Sequence, residues 1–172
     1  IAATDPDYVP LQLASTVLGG GFSRRVNQNL PGDKGYTYGA SAYQAPSRNG
    51  GRMQAGADVR NEVTGAAIAA FFKEFERLAN EPVPAQELVD TKRYVAGGYL
   101  ISNQLQGAVA NTLASNWVNG LPASFLGQYV PMIRAVDAAQ VQAKARKNWA
   151  PAEQPIVLNA HRFFLPCLRR SG

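Results

Sequence analysis

The chain has one histidine, His161, and one cysteine, Cys167, six positions apart. A catalytic zinc needs about three converging protein ligands and an open position, and this pair has no second nitrogen or sulfur donor to join it. Beside Arg162, Phe163 and Phe164, His161 reads as an ordinary surface or boundary residue. A Cys-His nucleophile would have to be assembled from these same two residues close to a terminus, a poor place to hold reacting groups in register. A single cysteine also excludes an internal disulfide and leaves the redox compartment open.

The carboxylates are no more distinctive. Glu74 with Arg77, Glu76 with no base four residues on, and Glu87 with Asp90 read as helix surface, and spacing alone assigns no unequal pKa values to such groups. Gly19-Gly20-Gly21 offers backbone donors that could cradle a phosphate. It lacks the following Lys-Ser or Lys-Thr and comes after a helical pattern, so a helix stop or a close chain crossing is the better reading. More informative is Gly35-Tyr36-Thr37-Tyr38-Gly39-Ala40, where two aromatics enter an expected strand. The Tyr38 hydroxyl could donate to a peptide carbonyl or a developing oxyanion, and the strand backbone could pair with an extended peptide. Composition alone favours core or sheet packing for these two tyrosines. Asp33 and Lys34 read as turn-edge charges.

The elements that must position these residues follow from periodicity. Val9, Leu13, Ala14 and Val17 recur at helical spacing from Tyr8 to Leu18, with Asp5-Pro6-Asp7 as the start. Phe22, Val26 and Leu30 suggest a short second helix from Ser23, broken by Pro31-Gly32. The period then drops to two. Tyr36, Tyr38, Ala40 and Ala42 share one face of a strand to Ala45, and Met53, Ala55, Ala57 and Val59 share one face of another from Arg52. Pro46 to Gly50 reads as their hairpin connection. An isolated hairpin is marginal in water, so more strands are expected from the termini or from sequence outside this chain.

Helical patterning resumes near Asn61, with Val63, Ala67, Phe71, Phe75 and Leu78 inward and Glu74, Glu76 and Arg77 toward water. Pro82-Val83-Pro84 separates this helix from a long helical region running from Leu88 to Trp117, which Gly97-Gly98 would bend or open to another backbone. Gly120-Leu121-Pro122 starts a shorter segment through Tyr129. Asp137 to Asn148 carries a capping box, Asp137 with Gln140, at one end and Lys144, Arg146 and Lys147 at the other. Ile156-Val157-Leu158 reads as a last short strand. Together these predict one α+β domain over 1–172, with an antiparallel-dominated sheet packed against helices.

Composition agrees with that outline. At 172 residues, 46% of them hydrophobic, a chain buries roughly two thirds of its unfolded surface and needs no staple. The net charge of +5 comes from scattered pairs such as Arg24-Arg25, Lys92-Arg93, Arg146-Lys147 and Arg169-Arg170. A solvated face accounts for these pairs, and no aromatic-and-basic module accompanies them, so nucleic acid is not an expected partner. No uninterrupted apolar run approaches the roughly 18 residues of a membrane span.

The blocks Leu18-Gly19-Gly20-Gly21-Phe22-Ser23-Arg24-Arg25, Asn27-Gln28-Asn29-Leu30 and Asp33-Lys34-Gly35-Tyr36-Thr37-Tyr38-Gly39, in this order, resemble the carboxy-terminal, non-zinc domain of the M16 peptidases. This is the insulinase or pitrilysin family, which includes relatives of the mitochondrial processing peptidase. The resemblance extends over roughly Asp5 to Leu158. It implies the fold of those metallohydrolases and a place in a larger, clamshell-like zinc protease. In such proteins an amino-terminal half carries an inverted His-x-x-Glu-His motif, which this chain does not contain. The implied role is substrate positioning for a metalloendopeptidase that hydrolyses extended peptides, with zinc and its ligands supplied by a companion domain or subunit. No cofactor is expected in this chain, and no activity is expected of it alone. Tyr38 is the implied catalytic contact, and Tyr36, Gly35 and Gly39 join it as the implied substrate-binding residues.

Three departures accompany the resemblance. The family usually has an Arg seven positions before the Tyr that matches Tyr38, and Pro31 stands there. Pro cannot donate to a carbonyl, so a non-catalytic scaffold or protein-binding subunit is the alternative reading. A strand before the first helix is missing from the pattern. After Ile156-Val157-Leu158 the chain continues into an unfamiliar Arg-rich tail, and a fragment of a larger protein with an exposed sheet edge is therefore expected. The compact Gly-Tyr-Thr-Tyr-Gly form resembles bacterial members. No compartment follows from the residues, and a bacterial periplasm is the location the resemblance suggests.

Overall fold

The first helix, α1 (Tyr8–Ser15), buries Val9, Pro10, Leu11, Leu13, Ala14 and Ser15. The structure, a computed structural model, describes residues 1–20, 37–149 and 155–159, with the side chains of 20 and 37–39 outside that description. Past Ser15 the helix widens into one π-helical turn, Thr16–Gly20. Ser15 Oγ and Thr16 Oγ1 both donate to the Gln12 carbonyl, at 2.9 and 2.8 Å, so side-chain hydroxyls take the acceptor where the regular ladder changes pitch. The expected helix from Ser23 to Leu30 lies outside the described residues, as do Pro31, His161 and Cys167.

Strands β1 (Thr37–Ala45) and β2 (Arg52–Val59) form an antiparallel pair, the sheet found among the described residues. Ala40 and Ala42 are buried while Ser41 and Tyr43 are exposed, and the face of Met53, Ala55, Ala57 and Val59 is half-buried, as alternation predicts. Tyr43 and Gln54, opposite each other in the register, share a 3.0 Å hydrogen bond from the phenol. At the turn end the ladder gains an isolated parallel bridge between Ala2 and Ser47, with the Ala3 amide 3.0 Å from the Ser47 carbonyl. The segment before α1 thus contributes a single bridge where the family pattern has a strand. Ile156, Val157 and Leu158, expected to form a strand, belong to no ladder and are 52%, 90% and 40% exposed.

After β2 a 3-10 turn (Asn61–Val63) leads into α2 (Thr64–Asn80), whose inward residues include Ala67, Phe75 and Leu78. Glu74 corrects the sequence expectation, since it is buried with them at 2% exposure. The long helical region divides into α3 (Ala85–Ser102) and α4 (Gln106–Val118). Gly97 and Gly98 do not break it, and a Cβ added at either would meet nothing within 4 Å. The division falls at Asn103, which donates to the Tyr99 carbonyl at 2.8 Å and accepts from Thr112 Oγ1 at 2.7 Å, closing α3 and tying α4 to it.

Helix α5 (Phe125–Ala135) runs beyond the expected end at Tyr129 because Phe125, Tyr129 and Ile133 form one buried stripe. Pro131 lies inside it, but both Pro131 and Gly127, whose carbonyl loses its usual donor, face outward. Helix α6 (Ala138–Asn148) starts with the expected capping box: Asp137 Oδ1 accepts from the Gln140 amide at 2.7 Å, and Gln140 Oε1 accepts from the Asp137 amide at 2.9 Å. It packs on α1 and α2. Trp149 closes that seam edge-to-face on Phe75, with ring centroids 6.1 Å apart.

Two cations expected on a solvated face instead bind helix C-termini. Arg146 Nε donates to the Ala79 carbonyl at 2.9 Å in the last turn of α2, and Lys92 Nζ to the Arg134 carbonyl at 3.0 Å in the last turn of α5. Both satisfy carbonyls that a helix end leaves without intrahelical donors.

Candidate functional site

The segment singled out for chemistry enters the fold on β1. Tyr38 and Gly39 lie in that strand, whose backbone is described there while their side chains are not; Gly35 and Tyr36 lie outside the described residues. Thr37 pairs with Val59 and Ala40 with Ala57, so β1 advances three residues where β2 advances two. The extra residue falls at Tyr38–Gly39. Such an irregularity bends a strand and re-aims side chains, and it is common beside active sites. It also interrupts strict alternation just before Ala40, which the period-two pattern did not foresee.

Beneath β1 lies the π-helical turn. A Cβ on Gly19 would fall 2.6 Å from the Ala42 nitrogen and 2.8 Å from the Ser41 carbonyl carbon, closer than real Cβ atoms approach. Gly19 is therefore the residue that lets the turn and the strand touch backbone to backbone. The reading of the glycine run as a close crossing holds at this position; Gly21 lies outside the described residues. Val17 and Leu18 on the same turn are buried at 2% and 1% exposure, and α3 packs against it.

A second cluster escaped the sequence reading. Tyr99 and Tyr129 stack with centroids 4.6 Å apart, Phe125 lies 5.7 Å from Tyr129, and Tyr8 lies 6.5 Å from Phe125. Burial raises the pKa of Tyr129 strongly and that of Tyr8 as well, because a phenolate there would lose its hydration. These neutral phenols tie α1, α3 and α5 together, and the Tyr99 hydroxyl donates to the Leu126 carbonyl at 3.1 Å. Only tertiary packing unites residues so far apart in the chain.

Asp7 is likewise not the simple helix-start charge expected of it. Its side chain is 3% exposed and pairs with Lys144 Nζ at 2.7 Å and Lys147 Nζ at 2.8 Å, with Asn148 Nδ2 3.4 Å away. These hydrogen bonds from the lysines lower its pKa from 3.8 to about 2 against the opposing cost of burial. Asp5 provides the local turn instead, accepting from the Asp7 amide at 2.8 Å. The acidic groups near Asp90 stay on the surface, as expected. Among the described residues, no group of three His, Cys, Asp or Glu side chains converges as a metal site would require.

The fold and the match to known proteins agree. The chain superposes on a peptidase M16 inactive domain from Pseudomonas fluorescens at 26% identity and TM-score 0.76, over 86% of this chain and 35% of that one. It is also similar to a candidate zinc protease from Bordetella pertussis, at 20% identity and TM-score 0.73, over 86% of this chain and 81% of that one. A chain of complex III2 from Candida albicans shares the fold at 13% identity and TM-score 0.71, over 85% of this chain and 37% of that one. This chain thus spans about a third of the Pseudomonas and Candida chains. Comparison with curated proteins yields no match. The profile of the peptidase M16 inactive domain covers residues 2–95, more than half of the chain and all of the helix, turn and hairpin around Gly19 and Tyr38. The chain belongs to the M16 peptidase family, and the part of that family it represents is the inactive domain.

Proposed function

We propose that this domain positions extended peptide for a zinc metalloendopeptidase whose metal and general base are carried by a companion M16 domain or subunit. The reading rests on the irregular β1 strand, where the extra residue at Tyr38–Gly39 falls within the segment that the inactive-domain profile matches. A strand with one residue out of register presents backbone and side chain in directions a regular ladder does not, and an extended peptide is held by strand backbone and side-chain pockets of this kind. Tyr38 is the residue assigned to hydrogen-bond a substrate carbonyl or its developing oxyanion, with Tyr36, Gly35 and Gly39 shaping the chain path beside it. The described side chains include no donor set for zinc, so no step of hydrolysis is assigned to them.

The test is the chelator-sensitive cleavage of a quenched, unstructured peptide by the zinc-bearing partner, with and without this chain. A rate that requires this chain and falls in folded Tyr38→Phe supports positioning. A rate indifferent to the hydroxyl defeats the catalytic role of Tyr38.

The second reading is a scaffold or protein-binding subunit. It is favoured by Pro31 at the position of the family's usual Arg, and by a shared fold with a chain of a large assembly, complex III2. Binding of the partner without any gain in rate supports it.

A further inference from the structure

The β1–β2 turn and the connection from α4 to α5 meet at a shallow groove lined by Arg48, Trp117, Gly120, Leu121 and Pro122, with about 350 Å³ of open space. Its wall is a built turn. The Gly120 amide donates to the Trp117 carbonyl at 3.0 Å and the Leu121 amide to the Asn116 carbonyl at 2.8 Å, closing α4 in a Schellman arrangement with Gly120 at φ 80°. Only glycine holds that angle without strain. The Arg48 stem packs beside this turn, its Cγ within ordinary contact, 3.8 Å, of where a Gly120 Cβ would stand.

Two features of this groove find no use within the chain. Trp117 is 79% exposed, an unusual display for so large an apolar side chain. The Arg48 guanidinium makes no ion pair or hydrogen bond among the described residues.

We infer that this groove binds the free C-terminal carboxylate of a peptide ending in an apolar residue. Arg48 takes the carboxylate in a forked, charge-assisted pair, and Trp117, Leu121 and Pro122 take the last side chain. A chain end suits the groove because carboxylate and last side chain share one Cα, and the space lies at the small end of the roughly 300–1,000 Å³ range of ligand pockets. A single cation between apolar walls offers too little for a nucleic-acid backbone, which asks for a stripe of them. The site is distinct from the Tyr38 region: β1 runs between them from residue 38 to 45, about 23 Å at 3.3 Å per residue. Hydrolysis of a peptide bond creates ends of this kind. That link rests on the proposed function; the binding itself does not.

Trp117 reports on the site, because the other tryptophan, Trp149, is buried at 4% exposure. The whole chain is titrated with acetyl-Ala-Ala-Leu as free acid, with the same peptide amidated, and with acetyl-Ala-Glu-Leu-amide, whose carboxylate sits on a side chain. The free acid is expected to shift the emission of Trp117 and to bind about tenfold more tightly than either amide. Arg48→Met, a surface change checked for fold by circular dichroism, is expected to bring the free acid down to the affinity of its amide and leave the amide unaffected. Equal affinities for acid and amide, an indifferent Arg48→Met, or no binding at about 10 mM peptide overturns the assignment. Binding of the side-chain carboxylate as tightly as the free acid overturns the preference for a chain end. Tyr38→Phe separates the two sites, because groove binding survives it whatever happens to peptide cleavage.

Discussion

Lys147 Nζ lies 2.8 Å from Asp7 Oδ2 although 140 residues separate them in the chain. With Lys144 on the other carboxylate oxygen, the contact joins the start of α1 to the last turn of α6, and so holds the helix that carries the Gly19 crossing against the rest of the core.

This pair sets an acid limit on stability. The folded pKa of Asp7 is about 2 against 3.8, so its contribution is fully present above about pH 4 and is lost as pH falls through 2. Asp7→Asn is expected to destabilise the protein at pH 7 by about 1–2 kcal/mol, discounted for the exposure of the lysines, and to flatten the loss between pH 4 and 2. Urea unfolding at several pH values checks both effects. An unchanged slope in the variant would show that Asp7 does not carry it.

Glycines in this chain differ sharply in what they tolerate. Gly19→Ala drives a methyl into the backbone of Ser41 and Ala42 and is expected to cost about 3 kcal/mol. Gly98→Ala, in the interior of α3 with nothing near the new methyl, is expected to gain about 0.5–1 kcal/mol. Thermal midpoints moving in opposite directions confirm the contrast, and similar shifts for both would remove the close crossing from the account of β1.

The capping box of α6 is a local device with a local cost. Asp137→Ala leaves the Gln140 amide without its acceptor and is expected to cost about 1 kcal/mol in denaturant unfolding. Asp137→Asn, which keeps the acceptor, should recover most of the loss.

Removal of the Tyr38 hydroxyl tests the site directly. With the zinc-bearing partner that the proposed function calls for, Tyr38→Phe is expected to lower kcat/KM by about tenfold or more while leaving the unfolding midpoint nearly unchanged, since one lost donor to a developing charge has an effect of that order. A matched fall in stability and rate would place the hydroxyl in folding instead.

Much of this molecule is legible in one dimension. The periodicity of Val9, Leu13 and Val17, the alternation around Ala40 and Ala42, the hairpin joining β1 to β2 and the Asp137–Gln140 box all involve residues near in sequence, where spacing and local hydrogen bonding dictate the outcome. The ordered glycine and Tyr38 blocks likewise carry the family, and the match over residues 2–95 agrees with them. Glu74 is buried although its neighbours Lys73 and Glu76 mark that stretch of α2 as surface, because burial there is decided by what packs on the helix and not by its own pattern. The break at Asn103 rests on its side-chain bonds to Tyr99 and Thr112, the continuation of α5 through Pro131 on which face meets the core, and Ile156 to Leu158 have strand-forming side chains but no ladder. The register shift at Tyr38–Gly39, the Asp7–lysine tie and the Arg48–Trp117 groove join segments that spacing cannot relate. Local chemistry is written in neighbouring residues; burial, register and long-range pairing exist only once distant elements share a surface.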